Sequence, residues 1–132
     1  MAKSIAAGYY DDTPALFTRA GIAWDGPSPA ELKQQHGIWP DFHHETDLSK
    51  SGKVVNFLPL EAADRFSLWG GPQQVAGQLL AVLRAAPVRF DFVVLQPIPD
   101  PIWPNDVRAD YTARMASEVL PVVRAALRRD DS

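Results

Sequence analysis

The chain has 132 residues, 46% hydrophobic and 22% charged, a profile typical of a globular domain rather than a disordered or fibrous protein. It has no cysteine, which excludes disulfides, thiolate metal sites and cysteine nucleophiles. Its net charge of -3 disfavours nucleic acid as a partner. The sequence has neither a secretory leader nor a run of about 18 apolar residues, so we expect a cytoplasmic protein with no membrane partner.

The first half of the chain carries helix signals. Thr13–Gly21 combines a hydroxyl residue, a proline at the first helical position and a terminating glycine, a pattern typical of a short helix. Ser28 and Glu31 have the spacing of a capping box, which begins a second helix. Residues 38–58 are typical of a long loop. We therefore predict a mainly helical and loop region over residues 1–61.

The second half alternates strand-like and helix-like segments. Phe66–Trp69 and Arg89–Leu95 are rich in aromatic and β-branched residues, which favours strands. Helical spacing of apolar residues begins at Pro72 and returns after the second strand. Such an order indicates parallel pairing through a right-handed crossover. The predicted fold class is therefore α/β, with a βαβα segment over residues 62–132 and one domain over residues 1–132.

The last helix is predicted to bury one apolar stripe. Its members recur at helical spacing and are Tyr111, Met115, Val119, Val122 and Ala126. Pro121 lies within this helix and should kink it, because proline has no amide hydrogen for the helical bond.

A family resemblance covers much of the second half. Phe66–Leu79, with the sequence FSLWGGPQQVAGQL, resembles the strand–Gly–Thr–Pro–Glu–x–Val–Ala–x–x–Leu segment near the end of luciferase-like oxidoreductases, the bacterial luciferase family. Arg89–Gln96 is similar to the last barrel strand of that family, and Glu118–Pro121 to its closing helix. The resemblance implies the C-terminal part of a TIM barrel, with FMN or F420 as cofactor, and an oxidoreductase or monooxygenase activity. A full barrel needs about 250 residues, so a chain of 132 residues could form only part of one.

Two groups of residues are candidates for cofactor binding. Gly70 and Gly71, with Gln73, lie where a helix begins, and free amides there receive phosphate or carboxylate groups. The alternative is that the glycines only permit close packing of strand and helix. Gln96 and Trp103 follow the last predicted strand and could line a pocket, the alternative being core packing.

Adjacent histidines are the candidates for catalysis. His43 and His44 lie among acidic residues, and an imidazole suits proton transfer because its pKa lies near neutrality. A metal site and a plain surface role are the alternatives. Adjacent histidines rarely point at one ion, so we expect no metal.

Two functions of different class follow. The first is a truncated luciferase-like oxidoreductase that needs another chain, or a dimer, to complete a site for a small-molecule substrate. The second is a non-catalytic module that binds a small ligand or a protein. In either case the strand edges of a half-barrel need cover, which predicts a homodimer or a complementing chain.

Overall fold

The computed structural model describes residues 1–95 and 104–130, which divide into two compact units, Met1–Ser67 and Leu68–Ser132. The expectation of a single domain over residues 1–132 stays a prediction. The first unit contains helices α1 (Ala2–Asp12), α2 (Ala15–Ala20), α3 (Pro29–His36), α4 (Leu48–Val54) and α5 (Leu60–Phe66). The second contains α6 (Pro72–Ala85), α7 (Asn105–Arg114), a π-helix (Met115–Val119) and α8 (Leu120–Asp130).

The first unit is built around α1. This helix packs on α2, α4 and α5, and small residues on its buried face, Ala6, Ala7 and Gly8, allow close approach. The core around it is aromatic and aliphatic, which gives the unit a dense centre. Its larger buried members are Phe17, Ile22, Leu32, Ile38, Phe42, Val55 and Leu58, with Tyr10, Trp24 and Phe66 packed against them.

The helix boundaries predicted in the first half are largely confirmed. The hydroxyl oxygen of Ser28 accepts from the Glu31 amide (3.3 Å), while the Glu31 carboxylate accepts from the Ser28 amide (2.8 Å). Gly21 and Gly37 follow α2 and α3 with φ of 70° and 59°, the left-handed conformation that glycine adopts without strain. The expected loop over residues 38–58 is wrong in part, because it contains α4.

In the second unit α6 begins at Pro72 as predicted, and a π-helix precedes α8. Pro121 has no amide hydrogen and its ring crowds the preceding turn, a conflict that one wider turn relieves. Val119 and Ala126 of the predicted stripe are buried, but Val123 is buried with them in place of Val122, which is 48% exposed.

The predicted α/β fold class is wrong. Among residues 1–95 and 104–130 there is no strand: Phe66 ends α5, and Arg89–Leu95 lies outside any helix or strand. Strand composition describes side chains that fit a pleated surface, and it forms a sheet only when another strand supplies the hydrogen bonds. The TIM barrel fragment is therefore wrong as well, because a barrel is built of strands and the described residues form none. The oxidoreductase, monooxygenase, FMN and F420 expectations attached to it gain no support from the described residues.

None of the helices described is long and apolar enough to cross a membrane.

Candidate functional site

The two candidate histidines lie in a turn before α4 that Asp41 organises. Oδ1 of Asp41 accepts hydrogen bonds from the backbone amides of His43 and His44, both at 2.9 Å. Oδ2 of Asp41 lies 2.7 Å from Nδ1 of His44, a hydrogen-bond distance. The carboxylate thus fixes the turn and orients the His44 ring, whose side chain remains 60% exposed.

His43 is the buried member of the pair. Its side chain is 13% exposed and its ring stacks on Tyr9 at a centroid distance of 5.9 Å. The ring also presses on α1 at Gly8, where an added Cβ would overlap Nδ1 of His43. Although Nδ1 lies 3.0 Å from Oδ1 of Asp41, it has no hydrogen-bond partner, because the contact lacks hydrogen-bond geometry. This nitrogen is therefore an uncompensated buried polar atom.

The environment shifts two pKa values of the turn downward. Burial lowers the pKa of His43, and the attraction of Asp41 is too weak to restore it. For Asp41, burial raises the pKa, but hydrogen bonds from the His44 ring and from the amides of His44 and His43 together lower it below its usual range. The turn accordingly favours an ionised carboxylate beside a neutral buried imidazole.

Glu45 completes the turn without joining the histidines. Its Oε2 accepts from the backbone amide of Trp39 (2.9 Å) and its Oε1 from the hydroxyl of Thr46 (3.0 Å). The bond from the Trp39 amide is the main reason that the pKa of Glu45 is lowered, against the effect of burial. Glu45 therefore holds the entry to the turn in place and is a structural residue.

Chemically, the turn offers an oriented carboxylate–imidazole pair. A carboxylate that fixes one ring nitrogen leaves the other, here on exposed His44, to exchange protons with solvent or a ligand. Asp41, His43 and His44 also offer three donor atoms within 4.8 Å of one another, the donor types that zinc takes. In the present arrangement Nδ1 of His43 faces Gly8, so its ring would have to turn before all three donors met one ion.

The glycine turn before α6 is held by glutamine side chains. The Gly71 amide donates to Oε1 of Gln74 (2.9 Å), and the side chain of Gln78 bonds both the amide and the carbonyl of Trp69, each at 3.0 Å. Gly70 has a φ of 113° and would meet Gln74 if it carried a Cβ. The Gly71 amide proposed for a cofactor thus already has a partner within the chain.

The remaining site predictions fall in different places. Gln73 lies in the first turn of α6, beside the glycines. Gln96 and Trp103 lie outside the described residues. The predicted cofactor roles of Gly70, Gly71 and Gln73 stay predictions.

The second unit also contains an exposed apolar stretch between α6 and Leu95. We name this stretch, residues 88–94, the apolar segment. Five of its seven side chains are large, apolar and exposed: Val88 (62%), Phe90 (51%), Phe92 (79%), Val93 (47%) and Val94 (78%). Leu95 packs partly against the core of the second unit, so the segment is attached at both ends.

Sequence reasoning missed the two residues that explain the histidine turn. In the sequence Asp41 is only one of several acidic residues near the histidines, although Asp commonly accepts hydrogen bonds from backbone amides two and three residues further on. Gly8 was not singled out, although a glycine inside a helix costs stability and needs a reason. The close approach of His43 supplies that reason.

Comparison with known protein families, curated proteins and solved structures found no match for this chain. The resemblance of Phe66–Leu79 to luciferase-like oxidoreductases therefore stays a prediction made from the sequence.

Proposed function

We propose that this chain is a non-catalytic protein-interaction module that works as a homodimer, with the apolar segment as its interface. The observation that carries the proposal is the exposure of Phe92 and Val94, 79% and 78%, beside three further large apolar side chains. Single exposed apolar residues are ordinary on a protein surface, but a contiguous group marks an interaction site.

The composition of the segment indicates how it binds. Phenylalanine and valine fit a pleated surface, and Phe90, Phe92 and Val94 would share one side of the segment if it were extended. In the single copy the backbone bends at Val88 and Asp91, so pairing would have to straighten it. Among the described residues no strand pairs with it. A second polypeptide that supplies the missing strand would therefore satisfy its backbone and cover its apolar side.

The partner that we propose is a second copy of the chain. A two-fold contact lets one patch cover itself, and this is the commonest arrangement of identical subunits. A two-stranded pair alone is marginal in water, so further apolar area is needed. Helices α6 and α8 of the same unit supply such area, because Val82 and Val122 are 57% and 48% exposed.

The test is the mass of the full chain in solution. Light scattering after size-exclusion chromatography, over about 1 to 100 µM, should give twice 14.6 kDa for the natural sequence. Phe92→Ser with Val94→Ser should give the monomer, because both side chains are largely exposed within one copy and their loss leaves its core intact. Leu60→Ser is the control, since Leu60 is exposed (61%) but lies in the first unit, and it should remain dimeric.

A natural chain that stays monomeric throughout this range would overturn the proposal, and so would a dimer that the double variant leaves unchanged. If the monomer instead became dimeric only on addition of a separate chain carrying a β-sheet edge, the homodimer would be replaced by the complementing-chain interpretation.

A further inference from the structure

Resting on the proposed homodimer, we infer that residues 88–92, which bend at Val88 and Asp91 in the single copy, straighten on association, and that the two copies then pair through them as antiparallel strands in a single register. In that register Phe90 lies opposite Phe90 of the second copy, and Arg89 lies opposite the second copy's Asp91. In this register the segment is self-complementary in both shape and charge.

The apolar face follows from alternation. In an antiparallel pair, residues that lie opposite each other share a face of the sheet. With Phe90 on the two-fold axis, each Phe92 lies opposite a Val88. One face of the pair is then continuously apolar, and its phenylalanine and valine members are all exposed in the single copy.

The other face fixes the register through charge. Arg89 and Asp91 flank Phe90, so a two-fold axis at Phe90 places each arginine opposite an aspartate. Opposite charges across a strand pair stabilise it, and like charges directly opposite each other destabilise it. Arg89 also interacts with another group of its own chain. The experiment must therefore measure how much the contact with Asp91 of the second copy stabilises the dimer beyond that intrachain interaction.

Neighbouring registers that keep the apolar face are less favourable. Moving the axis to position 89 places two arginines opposite each other, and moving it to position 91 does the same with two aspartates. Moving it to Phe92 removes both charge pairs and leaves Asp91 opposite Val93. Registers that place the axis between residues bring apolar side chains opposite charged ones. Charge and alternation together therefore select Phe90 as the axis.

The chain has no cysteine, so single cysteines report the register directly. In the inferred register Phe90→Cys brings two thiols to the directly opposed positions, whose Cα separation of about 4.5–5.5 Å suits a disulfide. Phe92→Cys is the matched control in the same segment: its two copies lie about 14 Å apart along the strands, four residues at about 3.4 Å each. Val94→Cys is a second control, at about 27 Å by the same rise.

Under mild oxidation, the Phe90→Cys variant should form a covalent dimer on non-reducing gels, at least about ten times faster than the Phe92→Cys variant. A faster reaction of Phe92→Cys would place the axis at Phe92 and overturn the inferred register. Equal rates for all three cysteines would also overturn it, because they indicate random collision. In both cases the homodimer itself, measured by light scattering, would stand.

A charge exchange tests the register without covalent chemistry. Arg89→Glu alone places Glu opposite Asp, and Asp91→Lys alone places Arg opposite Lys, so each variant should raise the dimer Kd at least about five-fold. A mixture of the two variants restores opposite charges at every pair. Native mass spectrometry should then show the mixed dimer in clear excess over the statistical half.

The double variant Arg89→Glu with Asp91→Lys separates pairing from any intrachain role of Arg89. It also restores opposite charges between copies, so its dimer Kd should return to within about two-fold of the natural value. A statistical mixture of dimers, or a double variant as weak as either single one, would overturn the charge pairing.

Discussion

The two units of this protein use their large apolar side chains in opposite ways. In Met1–Ser67, Phe17 and Phe42 are at most 1% exposed. In the described part of the second unit, Phe90 and Phe92 are half exposed or more, and the core consists of Leu79, Val119, Val123 and small alanines. Similar residue types therefore serve internal packing in one unit and, by our proposal, association in the other.

The difference comes from how the rings meet. In the first unit Tyr10 stacks on Trp24 at 4.3 Å, while Phe66 stacks on Phe17 at 5.2 Å and on Tyr9 at 5.7 Å. Such pairs add stability beyond the area that they bury. The apolar segment lies outside the helices that form the second core, so its rings find no comparable partners among the described residues of their own copy. The exposure of these side chains therefore follows from a segment of strand-like composition that has no sheet to join among the described residues.

The largest expected effect breaks the first core. Phe17→Ala removes a fully buried ring and leaves a cavity, which should lower the free energy of unfolding of the first unit by about 3–5 kcal/mol. Hydrogen–deuterium exchange of α1, read by mass spectrometry, measures it. Leu60→Ala, at a position 61% exposed, is the control and should change it by less than about 0.5 kcal/mol. Equal protection of α1 in both variants would contradict a core centred on Phe17.

A matched pair of glycines sharpens the comparison. Gly8→Ala in α1 should destabilise by about 1–3 kcal/mol, because the new methyl overlaps His43. Gly77→Ala in α6 has nothing within 4 Å of the new Cβ and should stabilise by about 0.5–1 kcal/mol, the usual gain inside a helix. Urea denaturation of the full chain measures both. A stabilising Gly8→Ala would mean that His43 does not pack on α1.

Helix starts provide the next pair. Ser28→Ala should cost about 1 kcal/mol, since it removes the capping hydroxyl of α3. Gly71→Ser should raise the free energy of unfolding by a few tenths of a kcal/mol. In α6 the Gln74 side chain already accepts from the Gly71 amide, but Gly71 has no side chain that could cap the helix in return. The φ of Gly71, -73°, is one that serine adopts without strain. Thermal melts resolve the first, and urea midpoints the second. Effects of reversed sign would contradict these capping roles.

The smallest expected effect is a dependence on pH. The folded state lowers the pKa of His43, so the unfolded chain binds more protons and stability should fall as the pH drops through the ordinary histidine range, from about 7 to 5. Asp41 and Glu45, whose pKa values are also lowered, remove further stability below about pH 4.5. Comparing urea midpoints at pH 7 and 5 tests this, and His43→Gln should flatten the change. An unchanged slope in His43→Gln would contradict the burial of a neutral ring.

Local signals made the helices predictable. The Ser28–Glu31 pair, the prolines at helix starts and the glycines after α2 and α3 act within a few residues, so the sequence alone locates them. Arg89–Leu95 was predicted wrongly because a strand depends on a distant partner that composition does not reveal. The stripe of the last helix is wrong at Val122, because residues three and four positions after Val119 both lie on its side of the helix and the spacing alone does not decide between Val122 and Val123.

The candidate site was predictable by residue type and not by arrangement. His43 and His44 were chosen because imidazoles beside carboxylates suit proton transfer, and the structure places both in contact with Asp41. Their different exposure, 13% and 60%, results from the position of α1, which is remote in sequence. Nothing local distinguishes a buried histidine from its exposed neighbour.

The glutamine bonds around Trp69 have a consequence for solubility. The Gln78 side chain holds the amide and the carbonyl of Trp69 with two bonds at 3.0 Å, the pattern by which a neighbouring strand would hold them. A backbone occupied in this way cannot template a stray strand, so Trp69 is protected from aggregation although it lies in a strand-like sequence. Unwanted β-sheet growth through this turn is thereby blocked.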